Sequence, residues 1–224
     1  MTRIAVAIPA YQAAPSVGDV ARRTRCIVPD VLVVDDGSTD GTSDAARQVG
    51  AEVHALPWNH GKGSALRVAF DTLFGRGFDA VVTLDADGQH LPEEIPCLLA
   101  AADSAELVLG TRDHLFAQMG RVRRTSNGLS SRAISWLAGQ GLSDVQTGFR
   151  LYTRRLLEAT GFPETGFDAE SAVVVRAARR GLRIRQVPVR LGFADGRVTS
   201  HYRPLADSLC IARAVVEARL DSWQ

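Results

Sequence analysis

The sequence predicts an α/β fold, a mostly parallel sheet with helices on both faces, formed by the whole chain, 1–224, as one domain. Three observations lead there. Short runs rich in β-branched residues alternate with stretches of helical periodicity through the first half. Strand, helix, strand at this rhythm means a parallel sheet covered on both faces. The 224 residues are 46% hydrophobic and 23% charged, as in soluble globular proteins, and no repeat, low-complexity segment or Pro/Gly-rich linker divides them.

Ile4 to Ile8 forms the first strand in this reading, with Val31 to Val34, Val53 to Leu56, Ala80 to Leu84 and Leu107 to Leu109 following. Helices fall between them, at about Pro15 to Arg25, Thr39 to Val49, Lys62 to Phe74 and Pro92 to Ala102. After Arg112 an arginine-rich stretch leads into a helix around Ser126 to Ala138, then a loop and strand over Asp144 to Tyr152. A helix near Ala169 to Arg180, a strand at Ile184 to Val189 and a final helix opened by Pro204 complete the chain. In that last helix Leu205, Leu209, Ala212, Val216, Leu220 and Trp223 make one apolar stripe, expected to pack into the core.

The formal charge of +1 argues against a protein that coats nucleic acid. It conceals an asymmetry: nine basic against sixteen acidic side chains up to Leu115, then seventeen against nine from Phe116 onward. Two surfaces with different tasks are expected, and every cation except Lys62 is a guanidinium, suited to bidentate phosphate or carboxylate contacts. Cys26, Cys97 and Cys210 are odd in number and widely spaced, which points to a reducing cytoplasm rather than a disulfide scaffold or zinc ribbon. The apolar start stops at Pro9, too short for a signal peptide, and no run reaches the roughly 18 apolar residues that suggest a membrane span.

Ligands of such sheets collect beyond the carboxyl ends of the strands. Pro9-Ala10-Tyr11, Asp35-Asp36-Gly37-Ser38 and Asp85-Ala86-Asp87-Gly88-Gln89 fall there after three different strands. Each alone is an ordinary turn composition; three on one edge are harder to dismiss. Asp85 and Asp87, with Gln89 two residues further, offer oxygen ligands to a hard divalent cation, Mg²⁺ or Mn²⁺, with positions left for phosphate oxygens. Several decoys fail. Asp36 to Arg47 begins like a calcium loop but ends in a cation. Asn59-His60-Gly61-Lys62-Gly63-Ser64 lacks the first glycine of a P-loop, though it still resembles a helix start that presents N–H groups and an ammonium to an anion.

Ile8-Pro9-Ala10-Tyr11, Val33 to Thr42, Asn59 to Gly63 and Leu84 to His90 together resemble family 2 glycosyltransferases of the GT-A fold, a Rossmann-like architecture. The branch most resembled is that of the dolichyl- and polyprenyl-phosphate mannosyl- and glucosyltransferases. The resemblance continues through Gly110-Thr111-Arg112, Asp144 to Arg150, Phe167 to Glu170 and Ser200 to Pro204, nearly the whole chain. It implies that Pro9, Tyr11 and Asp36 surround the nucleotide base and ribose, that Asp85 and Ala86 lie near ribose and diphosphate, and that Asp87 and Gln89 hold the metal. Arg112 falls at a basic position near the diphosphate, and Arg197 and Arg203 at cations facing an acceptor phosphate. Residues 1–115 then form the nucleotide-sugar and metal half, and 116–224 the acceptor half.

The implied chemistry is inverting transfer of a hexose from a GDP- or UDP-sugar to an acceptor, expected to be a polyprenyl phosphate met at the membrane surface by a protein that is cytoplasmic or peripheral on the inner face of the cell membrane. An anionic phosphate oxygen needs no strong base. A hydroxyl acceptor would need one, with Asp144 the first candidate and Asp168 and Glu170 the alternatives. Two departures from the branch pattern stand out: Gln12-Ala13 where Asn-Glu is usual, and Ser200-His201 where Ser-Lys is usual. The missing acid at Ala13 lends weight to one other reading, a nucleotide-sugar-binding protein without turnover.

Overall fold

A computed structural model describes residues 2–112, 131, 134–192 and 204–220, with side chains from 210 onward in the last segment. Seven strands form one sheet in the order β3-β2-β1-β4-β6-β5-β7. They are β1 (Ile4–Ala10), β2 (Val31–Asp35), β3 (Glu52–Ala55), β4 (Ala80–Thr83), β5 (Leu107–Thr111), β6 (Arg150–Thr153) and β7 (Ile184–Pro188). β1, β2, β3 and β4 pair in parallel, as do β5 and β7; β6 runs antiparallel between β4 and β5, opposing Thr83 to Arg150. The parallel expectation therefore holds with one reversed strand. The four residues of β6 carry no signature of direction, so the reversal is hidden in the sequence.

Strand residues alternate between two cores. Ala5, Ala7, Leu32 and Val34 face a cluster with α3 (Lys62–Gly75), α7 (Ala169–Arg179) and α8 (Pro204–Leu220). Val6, Ile8, Val31 and Val33 face the other side, with α1 (Ala14–Arg25), α2 (Thr42–Gln48) and α4 (Ile95–Leu99). Burial on both faces is what makes these strands continuously apolar. The chain leaves β1 toward β2 and β3, then crosses to β4 on the opposite flank, so the order reverses between β1 and β4 and opens a crevice at their carboxyl ends.

Several elements differ from expectation. α2 starts at Thr42, because Asp40 ties up the Thr42 N–H and hydroxyl in a turn. The helix expected over Pro92 to Ala102 is broken into a 3₁₀ turn at Pro92–Glu94, α4 and a second 3₁₀ turn at Ala102–Ser104; Pro92 and Pro96 each start a fresh turn. Of the helix expected around Ser126 to Ala138, a helical stretch over 134–138 (α5) is described. α6 (Arg154–Thr160), absent from the sequence reading, is capped by Thr153, whose hydroxyl accepts the Leu156 N–H at 3.2 Å. In α8 the packing face is Ile211, Ala214, Val215 and Ala218, whereas Ala212, Val216 and Leu220 of the expected core stripe are exposed. Leu205, Leu209 and Trp223 lie outside the described side chains.

Candidate active site

The loops after β1 and β2 are laced together by hydrogen bonds. The Gln12 N–H donates to Ser38 Oγ at 2.9 Å and the Ala13 N–H to Thr42 Oγ1 at 2.8 Å. Gln12, at φ +50°, also exchanges side-chain bonds with Thr39, so the residues standing where the branch has Asn-Glu clamp the two loops. Asp36 accepts the N–H groups of His60 and Gly61 at 2.7 and 2.8 Å, and its burial pushes the carboxyl pKa upward. Pro9 and Tyr11 line the same edge, half-buried.

Beyond β4 the charged centre appears. Lys62, first residue of α3, reaches Asp85 at 2.7 Å and Glu170 at 2.8 Å. Burial works against these charges, but Lys62 outweighs it for Asp85, whose pKa falls to about 2, and the two carboxylates raise that of Lys62. The helix start expected to offer an ammonium to an anion has thus spent it internally. The glycines flanking Lys62 have a different use: a Cβ on Gly61 or Gly63 would stand 2.5 Å from the carbonyl oxygen of Thr165 or Glu164, so their absence lets the loop before α7 carry Glu170 onto Lys62.

Asp87 has the opposite electrostatics. Burial, then the charge of Asp85, raises its pKa. It accepts the Gln89 N–H at 2.9 Å, and no cation pairs with it among the described residues. A carboxylate held in this state is relieved by a hard cation, which fits Mg²⁺ or Mn²⁺. Among the described residues no three His, Cys, Asp or Glu side chains converge to enclose an ion, so the remaining ligands of such a metal would be oxygens of Gln89, water and a bound diphosphate. His90 is neither exposed nor hydrogen-bonded. It is 1% exposed, lies 5.5 Å from the Phe149 ring, has both ring nitrogens without a hydrogen bond, and is held neutral by burial with a pKa near 4.

At the end of β5, Arg112 grips Asp144 through Nε at 2.6 Å and Nη2 at 3.0 Å, and its own N–H adds a third bond at 3.0 Å. Asp144 is fully buried, with both oxygens occupied. The base expected for a hydroxyl acceptor is therefore engaged as an anchor. The charge of Arg112 favours the ionised forms of Asp85 and Asp87. Asp168 does not cap α7 with its side chain but accepts the Gly166 N–H at 3.1 Å; Glu170, an acid in the first turn of that helix, is the partner of Lys62. Arg197, Arg203 and His201 lie outside the described residues.

The model of glycosyl transferase family 2 matches residues 5–161. The chain belongs to this family. Over 205 residues it is 35% identical to an undecaprenyl-phosphate mannosyltransferase of Micrococcus luteus, covering 84% of this chain and 82% of the relative. A polyprenol monophosphomannose synthase of Mycolicibacterium smegmatis is 32% identical over 209 residues, with 84% and 76% covered. Crystal structures of glucosyl-3-phosphoglycerate synthase from Mycobacterium tuberculosis share the fold; one matches at a TM-score of 0.74 and 24% identity, covering 98% of this chain and 80% of that one. Another, at 0.73 and 24% identity and covering 98% and 78%, holds Mg²⁺ and UDP. The family 2 assignment makes the protein a glycosyltransferase.

The sequence missed the Lys62–Glu170 pair, the close contact of Gly148 with Asp85 and the buried Arg150. Each depends on a contact across more than 60 residues or on the reversed strand. The glycines around Lys62 were the one local hint.

Proposed function

We propose that the protein is an inverting, metal-dependent glycosyltransferase that moves a hexose from a GDP- or UDP-sugar to a polyprenyl phosphate. One observation carries the choice of acceptor: Asp144, the side chain best placed to deprotonate a hydroxyl, has both oxygens taken by Arg112. An acceptor that arrives as a phosphate anion brings its own nucleophilic oxygen and needs no base. The names of the relatives, an undecaprenyl-phosphate mannosyltransferase and a polyprenol monophosphomannose synthase, support the same acceptor class.

In this reading Pro9, Tyr11 and Asp36 receive the base and ribose, Asp85 and Ala86 line the diphosphate path, and Asp87 with Gln89 holds Mg²⁺ or Mn²⁺. The metal supplies charge for the departing nucleoside diphosphate when bound. Arg112, its guanidinium locked by Asp144, presents a fixed positive charge to the same phosphates, and Arg197 and Arg203 complete the acceptor side. No helix among the described residues is long and apolar enough to cross a membrane; the exposed Val216 and Leu220 of α8 suit contact with a membrane surface that carries the lipid acceptor.

The test is transfer itself: undecaprenyl phosphate incubated with labelled GDP-mannose, UDP-glucose or UDP-galactose, with Mn²⁺ or EDTA. Formation of an acid-labile lipid phosphosugar from one donor, abolished by EDTA, is expected. Product on a hydroxyl acceptor but not on the lipid phosphate would overturn the reading.

A further inference from the structure

Arg150 opens the reversed strand β6 and is completely buried; among the described residues no carboxylate lies within hydrogen-bond reach of it, and Glu170 Oε1 makes only a long ion pair, 3.8 Å from Nε. Its guanidinium donates instead to three backbone carbonyls: Nε to Thr147 at 2.7 Å, Nη2 to Val145 at 2.8 Å and Nη1 to Glu170 at 2.5 Å. A buried cation with so loose an ion pair carries a desolvation cost that an apolar side chain of similar length would avoid. What the cation secures is geometry.

Two of those carbonyls belong to the loop joining Asp144 to β6, and the third to the first turn of α7. Each lies beside a group of the site. Asp144, next to Val145, anchors Arg112. Gly148, next to Thr147, lies so close to Asp85 that any Cβ there would overlap the carboxylate. Glu170 presents its side chain to Lys62, which in turn pairs with Asp85. We propose that Arg150 is the positioning residue of the site, fastening the 144–149 loop to α7 and so setting Asp85 and Arg112 relative to each other. It acts through these groups and touches no substrate. The inference rests on the donor-site reading above.

The experiment measures donor binding by calorimetry and turnover per folded molecule. Wild-type protein is titrated first with the GDP- and UDP-sugars in Mn²⁺; absence of binding would overturn the donor site, and the role of Arg150 with it. Given binding, Arg150→Met is expected to fold cooperatively, weaken donor affinity about tenfold and cut turnover about 100-fold, the scale of an ångström-level misplacement. In Arg150→Ala, millimolar guanidinium ion should restore turnover saturably, and sodium at equal ionic strength should not. Unchanged affinity and turnover in folded Arg150→Met would overturn the proposal, since a merely structural role lowers the melting temperature alone. If neither Arg150 variant folds, Gly148→Ala decides: donor affinity reduced at least about tenfold in a folded protein, from the steric displacement of Asp85, supports the loop as the positioning element. Wild-type affinity in that variant overturns it.

Discussion

The edge of the site around Asp36 and the edge around Arg112 are held by different bonds. At the first, neighbouring loops are joined by backbone N–H groups donating to side-chain oxygens: Asp36 to residues 60 and 61, Ser38 to Gln12, Thr42 to Ala13. At the second, charges meet charges, Arg112 with Asp144 and Lys62 with Asp85 and Glu170. Hydrogen-bonded loops tolerate the loss of one bond at modest cost, whereas a buried ion pair that loses one partner strands the other. The two edges should therefore respond differently to substitution.

The largest effect is expected where the edges meet. Asp87→Ala should reduce turnover about 1,000-fold while leaving the melting temperature unchanged or higher, because burial and Asp85 already oppose its charge. Turnover within tenfold of wild type would remove Asp87 from the chemistry. On the ion-paired edge, Asp144→Asn loosens Arg112 and should slow transfer about 10- to 100-fold, with the pH–rate profile keeping its shape. Disappearance of the acidic limb would instead make Asp144 the base. On the hydrogen-bonded edge, Asp36→Ala strands two N–H groups and should cost about 1–3 kcal/mol of stability by denaturant titration. Nucleotide affinity should fall about tenfold with it; a loss as large as that from Asp87→Ala would erase the distinction.

The smallest effect is in stability against pH. Burial lowers the pKa of His90 to about 4 in the folded protein, against about 6.5 when unfolded. Between those values the unfolded chain binds the proton and the folded one does not, so stability falls as the pH is lowered. From pH 6.5 to 5 the contribution is about 2 kcal/mol. His90→Phe, measured in metal-free protein, should flatten that slope; an unchanged slope would place the titration elsewhere.

The legibility of the sequence follows the same division. Asp36, Asp85 and Asp87 stood out because strand, polar turn and helix succeed one another locally, and the parallel sheet sets their edge. Lys62 was visible only as part of a failed phosphate loop, since its partner Glu170 is 108 positions away. Arg150 looked like one cation among many, because burial at the head of a reversed strand leaves no trace in spacing. The α8 stripe misled for a related reason: periodicity identifies a face, and the packing of α7 decides which face is covered.

β6 also acts as a ruler. Neighbouring strands lie about 4.8 Å apart, so one intervening strand holds the carboxyl ends of β4 and β5 roughly 10 Å from each other. The width between the acidic turn after β4 and the arginine after β5 is thus written in main-chain hydrogen bonds. Side-chain exchange can retune the chemistry at either bank, but the gap between them changes only if a strand is gained or lost.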